Sequence, residues 1–417
     1  MAGATRFATL RDVRPQLLRS ATTITGDTTD VLIGPDGTIA EIGSSVSIPA
    51  DWDDTEQVDL SGRVLLPAAT EPHAHLDKAF LAEVVHNPTG DLIGAIEAMR
   101  SNRHLLTVSE TAERAERAAR RMAANGFTAV RTHADLTIEH GVTSIEALTA
   151  VRERVADVID LEVVALCGWP VSGTGGADQR ALLRTAMQMG ADLVGGCPHL
   201  EPIDGAGTIA DATEVLLEIA DDHRRPVDLH TDETLDPTAD GLDRLARHVL
   251  DGFDLPVTAS HCVSLGQRPE HDQIATAELV ARAGISVVAL PHTNLFLQGR
   301  GRTPMPRALT AVGTLRTADV NVAAGADNLQ DPFNPLGRAC PFETAGLMIL
   351  TCHLLPHEAW DTVSTAAGRA VHGADDPRGL TVGADGDLLS VPAETVRAAI
   401  ADAPSDRWVW RHGHRQR

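Results

Sequence analysis

The sequence predicts an α/β chain: a (β/α)8 TIM barrel over residues 64–370, with a small β-sandwich built from both termini, residues 1–63 and 371–417. Three observations lead there. Short, mainly apolar runs recur eight times between helical stretches, at 64–69, 127–133, 161–166, 193–195, 227–229, 257–259, 285–290 and 320–324. Such runs suit strands buried on both faces, as in a parallel sheet. The two chain ends read instead as short strands and turns. No Gly-x-Gly-x-x-Gly follows an early strand, so the open dinucleotide-binding sheet lacks support. With 417 residues, one barrel and an appendage fit comfortably.

Taken in order, Val31-Leu32-Ile33-Gly34 and Thr38-Ile39-Ala40-Glu41-Ile42-Gly43 flank Pro35-Asp36-Gly37, a turn signal, and predict a hairpin. Asp59-Leu60-Ser61-Gly62 is a second turn, leading into the run 64–69. Thr107-Val108-Ser109-Glu110 has the form of a capping box, and its helix should stop near Gly126. Further helices are expected over 210–221 and 276–283. Beyond about residue 370 turns and short strands return, as in Gly386-Asp387-Leu388-Leu389-Ser390-Val391 and Trp408-Val409-Trp410.

Composition narrows the function. The formal charge of −23 and a pI near 5.1 argue against nucleic acid or an anionic membrane as partner, since both need a basic face. No long apolar run indicates a transmembrane helix, and residues 1–6 lack the apolar core of a signal peptide. Five cysteines with no C-x-x-C suit a reducing compartment, so a cytoplasmic protein is expected. A homo-oligomer is left open.

The chemistry gathers at strand ends, where a barrel enzyme carries it. His73 and His75 stand two apart on extended backbone, so both imidazoles face one side and suit zinc or iron. The other strand ends supply His133 and Asp135, Cys167, Cys197 and His199, His230 and Glu233, His261, His292, and Asp327. The cysteines read as buried small hydrophobes rather than nucleophiles. No H-E-x-x-H occurs, and the H-x-E with P-C-x-x-C of the other zinc deaminase fold is also missing.

Glu71-Pro72-His73-Ala74-His75-Leu76-Asp77, Arg131-Thr132-His133, His230-Thr231-Asp232-Glu233, Val257-Thr258-Ala259-Ser260-His261, Leu297-Gln298-Gly299-Arg300 and Gly325-Ala326-Asp327-Asn328-Leu329-Gln330-Asp331-Pro332 occur in that order. Together they resemble the metal-dependent amidohydrolase superfamily, in its cytosine deaminase-like branch, over roughly residues 30–390. The resemblance implies that His73, His75, His230 and Asp327 hold one divalent ion, Zn²⁺ or Fe²⁺. By the same resemblance His261 and Asp327 orient a hydroxide on that ion, and Glu233 shuttles protons. The metal would bring a bound water to a pKa of about 7. His133 and Asp135 stay open between supporting a ligand and touching substrate.

The chain also departs from that branch. Where its members carry Pro-Gln-Glu-Gly after the third strand, this chain has Cys167-Gly168-Trp169-Pro170, so the glutamine that grips a pyrimidine amide is missing. Asn328 replaces a second aspartate, and Lys78-Ala79-Phe80 replaces a threonine pair. Lys78, Trp169, His292 and Asn328 are therefore the candidate substrate contacts. Lys78 is also the sole lysine, and its place after His75 rules it out as a carboxylated bridge at the fourth strand. The expected activity is hydrolytic deamination of a small nitrogen heterocycle, pyrimidine- or triazine-like, with cytosine itself disfavoured. The alternatives are cleavage of a cyclic amide or release of an alkylamine, and, in another class, a metal-binding relative without catalysis. Glu233 and His261 argue against the last, because neither is needed merely to hold metal.

Overall fold

The computed structural model describes residues 13–205 and 207–416. The segment 1–6, read above for a leader, lies outside them. Eight strands form one sheet in sequence order: β1 (Ala69–Ala74), β2 (Phe127–Leu136), β3 (Asp160–Cys167), β4 (Leu193–Gly196), β5 (Val227–Thr231), β6 (Val257–His261), β7 (Ser286–Ala289) and β8 (Val322–Ala324). Registered neighbours from β2 to β8 run parallel. The ring closes just past the ends of β1 and β8. Ala74 bridges Asp327 in parallel, Asp327 N donates to His73 O at 3.0 Å, and His75 N donates to Asp327 O at 3.1 Å. With helices between the strands, this is a (β/α)8 barrel.

The first barrel strand requires a correction. The run at 64–69 is not β1; Arg63–Pro67 belongs to a second sheet, where it pairs antiparallel with Leu388–Pro392. Barrel strand β1 begins only at Ala69. Val64, Leu65 and Leu66 are fully buried, so their apolarity announces a buried strand without saying in which sheet. A pairing partner more than 300 residues away decides that.

The described residues form two compact units, one from both chain ends, up to Ala69 and from Asp376 on, and one over Thr70–Asp375. The first holds an eight-stranded sheet made from both chain ends, ordered His414–Arg415, Trp408–Arg411, Leu388–Pro392, Arg63–Pro67, Gln16–Thr22, Thr28–Ile33, Ile39–Gly43, with Glu56–Asp59 also on Gln16–Thr22. The predicted hairpin is present, its turn set by Gly37 at φ +81° and by Asp36 Oδ1 accepting from Thr38 N at 3.0 Å. Leu18, Val31, Ile33, Leu65, Leu388 and Trp410 form its core. The indole of Trp410 donates to Gln16 Oε1 at 2.9 Å, so its burial leaves no orphan.

In the barrel unit, the helix Val108–Ala124 starts where Thr107 Oγ1 accepts from Glu110 N at 3.3 Å, a cap worth about 1 kcal/mol. Only half of the expected box forms, because the Glu110 carboxylate turns to Arg114 instead. Ala112, Ala115, Ala119 and Met122 make its buried face, and Gly126 at φ +103° follows its end. The helix expected over 210–221 is Ile209–His223, and that over 276–283 is Glu270–Ala283. Among the described residues no helix is long and apolar enough to cross a membrane.

Candidate active site

The barrel brings His73, His75, His230, His261 and Asp327 to one end of its axis, although they span more than 250 residues of sequence. His75 Nε2 stands 3.2 Å from both His230 Nε2 and Asp327 Oδ1, and His73 Nε2 stands 3.8 Å from Asp327 Oδ1. Donor atoms of His73, His75 and His230 all lie within 4.8 Å of one another, as do those of His73, His261 and Asp327. Tetrahedral ligands at about 2.0–2.1 Å from a metal stand about 3.4 Å apart, so these gaps are of the right size.

The polar accounting supports the same reading. His73 Nε2, His261 Nε2 and both Asp327 carboxylate oxygens are buried without a hydrogen bond. The bare acceptors among them, the two Asp327 oxygens and an unprotonated His73 Nε2, would be satisfied by a cation. Burial holds His73, His75 and His230 well below the ordinary histidine range, helped by the crowding of histidines around them and, at His75, by Lys78. They are therefore neutral and offer lone pairs. Burial pushes the Asp327 carboxyl up, with Glu233 adding to it, and a divalent ion in the cluster would reverse that. The donor set fits a metal.

A fixed scaffold aims these groups. Glu71, buried on β1, accepts from His73 N at 3.2 Å and from Ala326 N at 3.1 Å, tying the strand of one candidate ligand to the loop of another. Gly325 leaves room for it, since a Cβ there would stand 2.4 Å from Glu71 Oε1. Ser260 has one hydroxyl proton and gives it to Asp228 Oδ1 at 2.8 Å, so toward His73 Nδ1, also at 2.8 Å, it must accept. His73 is therefore protonated on Nδ1, leaving the Nε2 lone pair toward the cluster. Arg131 anchors Asp228 at 3.1 Å and Glu162 at 3.0 Å. His199 donates from Nδ1 to His230 O at 3.1 Å. His261 and Asp327 adopt φ of +70° and +65°, conformations costing non-glycine residues about 1–3 kcal/mol and typical of functional sites.

Glu233 follows His230 by three residues and is buried, which pushes its carboxyl up to about 8. Asp232, between them, accepts from Gly241 N at 3.1 Å and Leu242 N at 3.0 Å, fixing the turn that presents Glu233. Glu233 Oε1 lies 3.6 Å from His261 Nδ1, and Asn294 Nδ2 reaches both, at 3.3 and 3.1 Å.

His75, His230, Glu233, His261 and Asp327 floor a cavity also lined by Lys78, Asp135, Trp169, Cys197 and Asn328, with apolar walls from Leu92, Ile96, Met99, Leu166 and Phe333. Lys78 Nζ is buried, 2.6 Å from Asp135 Oδ1 and 3.0 Å from His75 Nδ1. Burial opposes its charge, but Asp135 and Asp77 outweigh this and hold the ammonium above its ordinary value. Trp169 carries Arg100 over its ring at 4.9 Å, and its buried Nε1 has no partner. Asn328 spends its amide on the scaffold, donating to Asp331 Oδ2 at 2.8 Å and accepting from Thr293 Oγ1 at 3.1 Å. His292 is not among the cavity-lining residues; its Nε2 meets Thr344 Oγ1 at 3.1 Å. His133 stacks on His73 with ring centroids 3.9 Å apart, below the floor. The Cys167 thiol, pushed up to about 12 by burial, is no nucleophile.

Sequence reasoning missed Glu71, Asp228, Ser260 and Asn294 as working parts. Asp228 and Ser260 stand two residues before His230 and one before His261, and that closeness is their only local signal. Asn294 had only one signal, a lone amide in the apolar stretch Leu295-Phe296-Leu297.

A parallel barrel with three imidazoles, a carboxylate and a buried glutamate at one end defines a hydrolase of the metal-dependent kind. The chain belongs to the amidohydrolase family, which it matches over residues 81–414, and is a hydrolase of carbon–nitrogen bonds. It is 33% identical to the pterin deaminase of Rhizobium rhizogenes (strain K84) over 389 residues, 92% of this chain and 86% of that protein. Among solved structures it resembles the 5-methylcytosine deaminase of Klebsiella pneumoniae, with a TM-score of 0.85, 29% identity, and coverage of 96% of this chain and 98% of that one. The N-isopropylammelide isopropylaminohydrolase of Burkholderia multivorans aligns with a TM-score of 0.82 and 28% identity, over 96% and 97% of the two chains.

Proposed function

We propose that this chain is a hydrolytic deaminase of amino-substituted nitrogen heterocycles, with a fused pterin-type ring preferred over cytosine. The carrying observation is the cluster of His73, His75, His230 and Asp327 with Glu233, all but the fully buried His73 facing a largely apolar cavity. His73, His75, His230 and Asp327 would hold one divalent ion, and this borderline-hard set suits Zn²⁺ or Fe²⁺. When bound, the ion supplies the Lewis acidity that makes water a nucleophile near neutral pH.

The chain's own residues do the rest. Glu233 takes a proton from the attacking water and delivers it to the ring nitrogen beside the amino-bearing carbon. The water oxygen bonds to that carbon, the second water proton passes to the amino nitrogen, and the exocyclic carbon–nitrogen bond breaks to release ammonia and leave a carbonyl on the ring. His261 and Asp327 align the water. Trp169 offers a flat wall and an unspent indole donor where a glutamine amide would grip cytosine. Lys78, held by Asp135, faces the cavity and is the candidate donor to a ring carbonyl.

One metal per chain is expected. Lys78 is engaged with Asp135 and His75, and Glu201, just past β4, spends its carboxylate on Val171 N at 3.0 Å and Ser172 N at 2.8 Å. Neither is free to bridge a second ion. Elemental analysis of active protein should give about one Zn or Fe per chain, by the one-site ligand count. Two tightly held equivalents, both needed for activity, would refute it.

A panel of pterin, 5-methylcytosine, cytosine and N-isopropylammelide, read by ammonia release, tests the substrate reading. Pterin should be turned over well and cytosine poorly, because a site lacking the matching hydrogen-bond partner rejects such a ring steeply. Cytosine turnover matching the best compound would sink the preference. The Burkholderia likeness and the apolar face of Leu92, Ile96 and Met99 favour one second reading, release of an alkylamine. Isopropylamine from N-isopropylammelide, with no ammonia from the others, would select it.

A further inference from the structure

We infer that Asn294 is a positioning residue that holds Glu233 and His261 in register and places the single proton of His261 on Nε2, toward the reacting centre. Asn294 is completely buried in the helix Pro291–Leu297, and its Nδ2 carries two protons. One goes to Glu233 Oε1 at 3.3 Å and the other to His261 Nδ1 at 3.1 Å. A ring nitrogen that accepts a hydrogen bond is unprotonated, and a neutral imidazole has one proton to place. It must therefore sit on Nε2, which lies 4.0 Å from Asp327 Oδ2 and has no other partner.

This separates two histidines that look alike in sequence. Ser260 puts the proton of His73 on Nδ1 and leaves Nε2 bare, which makes His73 a ligand. Asn294 does the opposite to His261, which makes its Nε2 a hydrogen-bond donor to an oxygen in the cluster and excludes it as a ligand. With Glu233 ionised, as it must be to take a proton from water, the Asn294 orientation is also determined. Turning the amide would set Oδ1 against a Glu233 oxygen at 3.3 Å and require His261 to carry its proton on Nδ1. In the present orientation Asn294 Oδ1 stays buried without a partner, a cost of about 1–3 kcal/mol accepted at a working site.

The rate effects rest on the deaminase reading; the proton's position does not. In zinc-loaded protein with ¹⁵N-labelled histidine, the His261 signals, assigned by their loss in His261→Gln, should show a proton on Nε2. Asn294→Asp keeps the shape but offers only acceptors, so it repels Glu233 and draws the His261 proton to Nδ1. That variant should retain its metal, lose at least about tenfold in kcat with KM little changed, and be slower than Asn294→Ala. A merely space-filling asparagine predicts the reverse order, because aspartate fills the site and alanine opens it. A proton on Nδ1 of wild-type His261, or an alanine variant slower than the aspartate one, overturns the inference. If no compound in the panel is turned over, the deaminase reading falls while the spectrum still decides the role of Asn294.

Discussion

His230→Ala should lose metal and activity together. The imidazole of His230 stands 3.2 Å from His75 Nε2 at the end of β5. Alanine leaves two imidazoles and a carboxylate, below the count that closes a tight site. Losing a group that merely orients a ligand typically costs about 10–100-fold in affinity or activity, and losing the ligand itself should exceed that. The measurement is metal content after dialysis against a mild chelator, alongside turnover. Folding should survive, because His230 lies at a strand end and β5 stays paired with β4 and β6. Full metal occupancy in the alanine protein would remove His230 from the ligand set.

Glu233→Gln should part catalysis from metal binding. Glutamine keeps the shape, and its carbonyl oxygen can still accept from Asn294 Nδ2, so the link to His261 survives. What it cannot do is carry a proton. General acid–base transfer is worth about 10² to 10⁴ in rate, so the variant should bind metal normally and turn over at least about a hundredfold more slowly. The burial that raises the Glu233 carboxyl to about 8 fits a shuttle, since such a group exchanges its proton readily near neutral pH. Turnover within a few-fold of wild type would remove Glu233 from that role. Loss of metal would instead make it a ligand.

Much of the barrel was legible because its signals are local. Apolar runs of strand length, punctuated by capped helices, repeat at short range, and polar residues collect where the runs end. His73 and His75 announce a shared direction by their spacing alone, and the order of the other motifs supplies the remaining candidates. The strand at 64–69 shows where such reading stops. Its residues are fully buried, yet its partners lie near residue 390, and nothing local reveals that.

The candidate site divides along the same line. The kinds of groups present, three imidazoles, two carboxylates and an absent glutamine at position 168, were properties of the chain itself. Which nitrogen of each imidazole faces inward was not. That depends on a serine and an asparagine brought in from β6 and from the helix after β7, and on where their few protons go. Lys78 and Asn328 likewise read alike as cavity candidates, but Asp331 and Thr293 engage the amide of Asn328, while Asp135 holds the ammonium of Lys78 at the cavity wall. The sequence by itself determined the barrel and the chemical inventory of its rim, because periodicity and residue type act locally. Only the tertiary structure decided which groups offer a bare lone pair to the cluster, which donate and which are engaged elsewhere, because the hydrogen bonds concerned join residues far apart in the chain.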